Sequence, residues 1–340
     1  MRTALLFSGN LISGAFSGLI AAGITDYMDG TRGLRAWRWL FIIEGCATIV
    51  IAFSSYFILP NFPRTTGWLT EEERQLAAWR LEEDIGEDDW VDSKDQTLLH
   101  GMKLAFTDNK VYILVSLLSC IRTIIIPLIP STQMIMLLMV VSSSSVTNFF
   151  PTVVATLGYN KIYSLLLTSP PYLLAVIVSV VNAWHADRTG ERYLHIALPL
   201  CLGMTAFIIA AVTTATVPRY IAMMLMVPGI YTGYVVILAW ISNTIPRPPA
   251  KRAAALAAIN AVSNASSIYS SYMYPESAGP RYVVAMSVNC ATLFVAFCMA
   301  TWLRFMLVGL NKKLDEGTIG VGSIQGVPAE GAKNGFRYKV

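Results

Sequence analysis

Charged residues are scarce in this chain of 340 residues. Asp, Glu, Lys and Arg make up only 14% of it, whereas 55% is hydrophobic and the mean hydropathy is +0.55. Soluble domains carry about 25% charged residues, so this composition indicates an integral membrane protein. The net charge of +4 is small and the basic residues are scattered, so we expect no nucleic-acid partner.

Residue types that carry catalysis or bind metals are also few. The chain has three histidines and neither an HExxH motif nor a Walker loop, and its five cysteines all lie inside apolar stretches without metal-ligand spacing. The glycine-rich "GVGSIQG" follows no strand and is typical of a flexible tail. We therefore expect no enzyme, no cofactor and no metal site, and an intramembrane enzyme is the least supported alternative.

Long apolar stretches dominate what remains. A helix that crosses a bilayer needs about 20 mostly apolar residues. The first stretch also resembles a signal peptide, but further spans follow it and no secreted domain does. The prediction is an all-α integral membrane protein with about eight transmembrane helices, at Leu5–Ile24, Arg38–Leu59, within Val111–Thr156, and at Ile162–Trp184, Leu194–Val217, Tyr220–Ile241, Ala253–Met273 and Tyr282–Phe305.

The only long connection, residues 61–110, is polar and holds 12 of the 21 acidic residues. Within it, "LTEEERQLAAWRLEED" predicts a helix that begins with a capping box of Thr70 and Glu73. If this loop is cytosolic, that side of the membrane receives 18 of the 25 basic residues, as the positive-inside rule expects. The N-terminus and the polar tail 307–340 are then cytosolic too, and we expect the tail to be disordered.

Residues 111–151 are too long for one crossing and too short for three. Removing residues 122–140 joins "VYILVSLLSCI" to "VSSSSVTNFFPT" in a span of normal length. We interpret 122–140 as an insertion, plausible as a translated intron. The alternative is a long re-entrant or tilted segment.

Polar side chains inside apolar spans mark candidate functional positions, because hydrocarbon penalises them. In "LAAINAVSNASSIYSSYMYP" they recur on one face of the predicted helix. This stripe is suited to line a water-filled pathway, and the alternative is hydrogen bonding between helices. The candidate substrate-binding residues of the stripe are Asn260, Ser263, Asn264 and Ser267.

Prolines predict a break in another span, "LLLTSPPYLLA". Pro170 and Pro171 fall near the middle of the predicted span and each remove a backbone donor, and transporters use such broken helices at binding sites. Thr168, Ser169 and Tyr172 lie at the break, and Tyr172 is a candidate substrate-binding residue. A purely structural kink is the alternative.

Four more positions are weaker candidates. Tyr231 and Tyr234, spaced i, i+3, are candidate stacking residues, although aromatic residues serve more often in core packing. Asn148 is a candidate polar contact to substrate, and Glu44 is a candidate proton-coupling residue whose alternative role is an ion pair with Arg38. In the first span, Gly14 and Gly18 form a GxxxG motif, which permits close helix contact.

The most specific motif is the loop "AWHADRTGERYLH", at 183–195. Asp187 is suited to accept hydrogen bonds from a neighbouring helix N-terminus and to pair with an arginine. Such a charge lock holds one conformation and releases in another. Asp187, Arg188 and Arg192 are therefore the candidate gating residues.

These residues carry a resemblance. "AWHADRTGER" resembles the D-R-x-G-R-R loop signature of the major facilitator superfamily, with Ala183 at the usual glycine and Glu191 at a usual basic position. "GLRAWRWLFIIEG", "FPRTTGWLTEEER", "NFFPTVVATLGY" and the closing "GFRY" are similar to the fungal anion:cation symporter branch, which includes allantoate and nicotinate permeases. "AWISNTIPRPPAKRAAALAAINAVSN" is most similar to members associated with sulfate or sulfonate uptake.

The resemblance implies a twelve-span fold in two six-helix halves, of which this chain matches spans 5–12 and lacks four N-terminal spans. It divides the chain into the last two spans of the first half (1–60), a cytosolic linker (61–110), the second half (111–306) and the tail (307–340). The implied function is proton-coupled transport of a small anion by alternating access, by a monomer in the plasma membrane. The alternative is an incomplete gene product without transport of its own, or a membrane partner of an intact transporter.

Overall fold

The computed structural model describes residues 2–60, 65–85, 129–244, 268 and 271–316. Within them the regular structure is helical, which confirms the predicted fold class. Short 3₁₀ turns lie at Thr31–Gly33, Ser271–Met273 and Glu276–Ala278. The α-helices are α1 (Arg2–Tyr27), α2 (Ala36–Ile58), α3 (Glu71–Ile85), α4 (Ile129–Ala155), α5 (Lys161–Leu166), α6 (Ser169–Thr189), α7 (Tyr193–Val212), α8 (Thr216–Thr244) and α9 (Val283–Asp315).

Six helical segments of the described residues are long and apolar enough to cross a membrane. They correspond to six of the eight predicted spans, and α5 and α6 together form one of them. The predicted span at 253–273 lies almost entirely outside the described residues. The six segments are Thr3–Tyr27, Ala36–Ile58, Lys161–Thr189, Tyr193–Val212, Thr216–Trp240 and Val283–Lys313.

Helix α4 covers the second part of the predicted crossing within 111–156. It is continuous across residue 140, and residues 129–140 of the segment interpreted as an insertion form its first turns. Residues 122–128 lie outside the described part of the chain. The insertion therefore stays a prediction.

The turn between α5 and α6 forms at the prolines, because Pro170 and Pro171 occupy the first turn of α6, where no backbone donor is needed. It lies one short helix from the end of the span rather than at its middle. The Thr168 hydroxyl donates to the Leu165 carbonyl oxygen at 2.6 Å, and the Tyr220 hydroxyl donates to the Leu167 carbonyl oxygen at 3.2 Å. The carbonyl oxygens at the break therefore accept hydrogen bonds from protein hydroxyls. This favours a structural kink over a binding site for substrate.

Helix α1 packs against this break through its GxxxG motif, and the contact is as close as that motif permits. A Cβ atom on Gly14 would lie 2.9 Å from the Tyr172 ring, and one on Gly18 would collide with the Thr168 hydroxyl. Between these glycines, the Ala15 carbonyl oxygen accepts a hydrogen bond from the Ser169 hydroxyl. The small residues therefore allow α1 to approach the backbone of the turn.

Helices α7 and α8 cross at a second pair of glycines. A Cβ atom on Gly229 would lie 2.6 Å from the Cα and backbone nitrogen of Gly203 and 3.2 Å from the Pro199 carbonyl oxygen. The two backbones are therefore in direct contact, which is how small residues serve membrane helix interfaces.

The buried core lies between α4, α6, α7, α8 and α9. Phe150, Phe207, Met223 and Trp240 are among its fully buried side chains. Helix α2, in contrast, has no buried residue. Most of its apolar side chains are exposed, as those of a membrane helix facing lipid or another protein segment would be.

Helix α3 begins at Glu71 with the predicted capping box. The Thr70 backbone N–H donates to the Glu73 carboxylate at 2.9 Å, the Thr70 hydroxyl donates to it at 3.0 Å, and the Glu73 N–H donates back to that hydroxyl at 3.4 Å. These bonds to the ionised form, the backbone one first, lower the pKa of Glu73.

Candidate functional site

The predicted tyrosines lie together inside the bundle. Tyr172 on α6 and Tyr231 and Tyr234 on α8 are all buried and belong to the same hydrophobic cluster. Phe7 of α1 contacts the Tyr234 ring edge-to-face, with 5.0 Å between ring centroids. The tyrosines therefore sit where α1 meets α6 and α8.

A hydroxyl pair connects this group to α4. The Thr147 and Tyr231 hydroxyls lie 2.6 Å apart, and the Thr147 side chain is exposed, as is its neighbour Asn148. The Tyr231 hydroxyl thus reaches the surface of α4 on which the predicted contact Asn148 lies. Thr147 belongs to this surface, but the sequence analysis did not select it. It lies in the serine- and threonine-rich run "SSSSVTN", in which no single hydroxyl stands out as a candidate.

A second polar network is fully buried between α4 and α9. The Asn289 Nδ2 donates to the Ser145 hydroxyl at 3.0 Å and to the Tyr274 hydroxyl at 3.3 Å, and those two hydroxyls are 2.9 Å apart. Asn289 Oδ1 is buried without a hydrogen-bond partner among the described residues. The sequence gives one signal for this network, a single amide in the apolar stretch "VVAMSVNCATLF".

Four predicted substrate contacts, Asn260, Ser263, Asn264 and Ser267, lie outside the described residues. Glu44, the candidate proton-coupling residue, is exposed on α2. In the part of the chain that the structure describes, Glu44 forms no ion pair with Arg38, whose guanidinium instead lies over the Trp37 ring. The alternative role expected for Glu44 is therefore not seen.

An ion pair of Asp187 with an arginine forms at the turn between α6 and α7. Gly190 ends α6 in the left-handed conformation, with φ of 72°, which a residue without a Cβ atom adopts freely. The turn brings the buried Arg192 to 2.7 Å from the Asp187 carboxylate. Arg188 is not part of this contact, since its guanidinium lies over the Trp184 ring at 5.5 Å.

Around this pair the structure adds four residues that the sequence analysis did not select. His185 Nδ1 and His195 Nε2 are 2.6 Å apart. Glu191 lies between His195 and Arg304 of α9, with Oε2 4.0 Å from His195 Nδ1 and Oε1 3.9 Å from the Arg304 guanidinium. One sequence signal existed: the two histidines are each five residues from Gly190, so a tight turn there brings them face to face.

Arg219 lies in the first turn of α8, at the opposite end of the bundle. Its side chain is 1% exposed, and its guanidinium donates to the Pro280 carbonyl oxygen. The sequence places this arginine outside the span, because the span was predicted to begin at Tyr220. The structure begins the helix at Thr216 and uses Arg219 to hold the segment before α9.

An apolar groove of about 810 Å³ lies between α7 and α9. Its lining includes Met204, Phe207, Met286 and Phe294, and it offers no charged group to a ligand. Among the described residues, no group of three His, Cys, Asp or Glu side chains is arranged to hold a metal ion.

Comparisons with known proteins match this architecture. Residues 1–271 match the Major Facilitator Superfamily. The MFS transporter prlL of a fungal species is 29% identical over 334 residues, covering 96% of this chain and 61% of prlL. The MFS-type transporter cnsO of Penicillium expansum is 31% identical over 324 residues, covering 92% of this chain and 58% of cnsO.

Among solved structures, the proton:xylose symporter XylE, bound to 6-bromo-6-deoxy-D-glucose, has the same fold. Its TM-score is 0.54 at 20% identity, over 90% of this chain and 63% of XylE. The chain therefore spans about 60% of the length of the proteins it matches. With residues 1–271 matched and the helical membrane architecture in place, the chain belongs to the Major Facilitator Superfamily, a family of membrane transporters rather than enzymes.

Proposed function

We propose that this chain takes part in secondary active transport of a small anion, coupled to protons, by alternating access. The observation that supports the proposal best is the meeting of α1 with α6 and α8 around the three tyrosines. Alternating access requires two bundles that rock against each other around a central site. Contacts at Gly14, Gly18 and Tyr172 provide a narrow, polar-lined seam of that kind.

The substrate class follows from the resemblance to the anion:cation symporter branch. Carboxylates such as allantoate and nicotinate, or sulfate and sulfonates, are the candidate substrates. Amides and hydroxyls, which the Thr147–Tyr231 pair and the predicted stripe at 256–275 supply, bind anion oxygens through their N–H and O–H donors. The proton-coupling residue proposed from the sequence is Glu44.

The proposed orientation places the Gly190 turn, the N-terminus, the 61–110 loop and the tail in the cytosol, with the protein in the plasma membrane. The excess of Lys and Arg in these segments supports this orientation. The Asp187–Arg192 ion pair then lies at the cytosolic end and acts as the gate, with Arg188 beside it. We expect the transporting unit to be a monomer.

Uptake of labelled anions by cells that produce the chain tests the proposal. Unlabelled allantoate, nicotinate and sulfate compete in parallel, and Asn264→Ala tests the stripe at 256–275. The proposal expects uptake that one anion class suppresses and that Asn264→Ala weakens by raising the half-saturating concentration. Unchanged affinity in the variant contradicts a substrate role for the stripe.

A further inference from the structure

Two histidine rings lie unusually close at the turn between α6 and α7. His185 Nδ1 and His195 Nε2 are 2.6 Å apart, and the ring centroids are separated by 4.9 Å at a tilt of 40°. At that distance only one of the two nitrogens carries a hydrogen, and the other must accept it. The pair therefore holds one proton between the rings, and any further change in protonation takes place on the outer nitrogens.

The surroundings determine which outer nitrogen carries the second proton of the neutral pair. His195 Nδ1 is buried, has no hydrogen-bond partner among the described residues and lies 4.0 Å from a Glu191 oxygen. An N–H at this nitrogen faces a carboxylate favourably, whereas a lone pair there would face it unfavourably. In the neutral pair, His195 thus carries hydrogen on Nδ1, His185 donates from Nδ1, and His185 Nε2 is left bare.

The bare nitrogen belongs to the exposed ring, since the His185 side chain is accessible while His195 is only 7% exposed. A proton from water forms a new N–H bond at His185 Nε2 without breaking the bond between the rings. The positive charge then extends over both rings through the shared proton. The buried His195 is thereby charged through its exposed neighbour.

Charged groups reach the pair from each element around it. Asp187 and Arg188 come from α6, Glu191 and Arg192 from the turn, and Arg304 from α9. Helix α8 has no charged residue between 220 and 244. At this end, α1 has Arg2 as its only charged side chain, and the N-terminal ammonium also interacts with the Asp187 carboxylate.

Asp187 is already bound to Arg192 at 2.7 Å, which leaves Glu191 as the acid that responds to the pair. Its two oxygens face different partners, His195 and Arg304, at 4.0 Å and 3.9 Å. Both distances are longer than that of a hydrogen-bonded ion pair. Glu191 is therefore not fixed by either partner, and a change in the charge of one partner moves its carboxylate.

We propose that His185 and His195 form a single proton-binding site that decides whether Glu191 is held by the turn or by α9. When the pair is neutral, Arg304 is the stronger partner and Glu191 ties the turn to α9. When the pair has taken up a proton, Glu191 moves toward His195 and the tie to α9 loosens. If the chain transports as proposed above, acidity on this side of the membrane thus loosens the gate. That consequence rests on the proposed function, whereas the proton site does not.

Nitrogen NMR of the purified chain in lipid nanodiscs, labelled with ¹⁵N-histidine, tests the site without any transport assay. The chain has three histidines, and the third, His100, is the internal control. Between about pH 5 and 9, which brackets the ordinary histidine range, the His185 and His195 nitrogens should shift together with one midpoint, separately from His100. Independent titration of His185 and His195, each like His100, overturns the proposal.

Two variants at half-exposed positions give opposite expected shifts. Glu191→Gln removes the attracting carboxylate and lowers the shared midpoint by about one pH unit, and Arg304→Gln removes a competing cation and raises it by a smaller amount. A midpoint that neither variant moves contradicts the role of Glu191, even if the two rings titrate together.

His185→Gln tests the exposed ring as the entry point of the proton. The substituted position is exposed, so the fold is expected to persist, and circular dichroism checks this. The proposal expects His195 to stay neutral to a lower pH than in the unchanged chain, because the residue is only 7% exposed and has lost the ring through which the proton enters. An unchanged titration of His195 in this variant overturns the proposed entry route.

Discussion

The substitution Gly229→Ala tests the packing of the bundle most sharply. The added Cβ atom would lie 2.6 Å from the Gly203 backbone, and real Cβ contacts essentially never fall below 3.0 Å. Ordinary contact begins at about 3.5 Å, so α7 and α8 must separate by nearly 1 Å along their crossing. Backbone atoms, unlike the end of a side chain, cannot rotate out of the way.

The expected cost follows from these distances. Overpacking costs about 1–3 kcal/mol, and the upper value applies here because the obstacle is backbone. The better helix propensity of alanine offsets about 1 kcal/mol. Gly229→Ala should therefore lower the free energy of unfolding by about 2 kcal/mol.

Two matched substitutions serve as controls. Gly9→Ala adds a Cβ atom with nothing within 4 Å, so it should be neutral or slightly stabilising. Gly203→Ala meets the end of the Leu293 side chain at 2.9 Å, which is able to move, so its effect should be intermediate. Equilibrium unfolding in mixed micelles, followed by tryptophan fluorescence, measures all three. If Gly229→Ala is as stable as Gly9→Ala, the described contact between α7 and α8 is wrong.

Three further predictions concern α1, α8 and α3. Gly18→Ala should destabilise the contact of α1 with the α5–α6 turn, because its Cβ atom collides with Thr168; protease accessibility of α1 in micelles should rise, and an unchanged digestion pattern counts against the contact. Tyr231→Phe should cost about 1 kcal/mol through the lost bond to Thr147, with no further loss in Tyr231→Phe/Thr147→Val, since the double variant leaves no partner unpaired. The lowered pKa of Glu73 means that ionised Glu73 stabilises the start of α3 above its unfolded pKa, and this stabilisation is lost as the pH falls through the lower, folded value; amide exchange at Glu73 should accelerate in that acidic range, and Glu73→Gln should remove the pH dependence.

Much of the helical architecture was predictable because bilayer thickness fixes the length of an apolar span. The predicted bounds of the second span, Arg38–Leu59, differ little from Ala36–Ile58. Local motifs were equally informative: the Thr70–Glu73 capping box and the Gly14–Gly18 contact both depend on residues three or four positions apart. The Pro170–Pro171 break was predicted too, but near the middle of its span, whereas the structure places it nearer one end, after the short helix α5.

Features that depend on which helices are neighbours were not predictable from the sequence. The closeness of Gly203 and Gly229 depends on the crossing of α7 and α8. Gly229 forms a GxxxG pair with Gly233, but Gly203 belongs to no such pair, so the motif alone does not indicate this contact. The Asn289 network joins residues about 145 positions apart. Glu191 had been noted only as a departure from the family signature, and its two partners on α7 and α9 explain what that acid contacts in this chain.

The measurement that tests the central claim most directly is anion-dependent proton flux in proteoliposomes. The purified chain is reconstituted with a pH-sensitive dye inside the vesicles, and allantoate, nicotinate or sulfate is added outside. The proposed symport predicts internal acidification that depends on one of these anion classes and that Asp187→Asn reduces by releasing Arg192 from its pair. A chain that is folded by circular dichroism and reconstituted, yet produces no proton movement with any of the anions, contradicts proton-coupled anion transport by this chain.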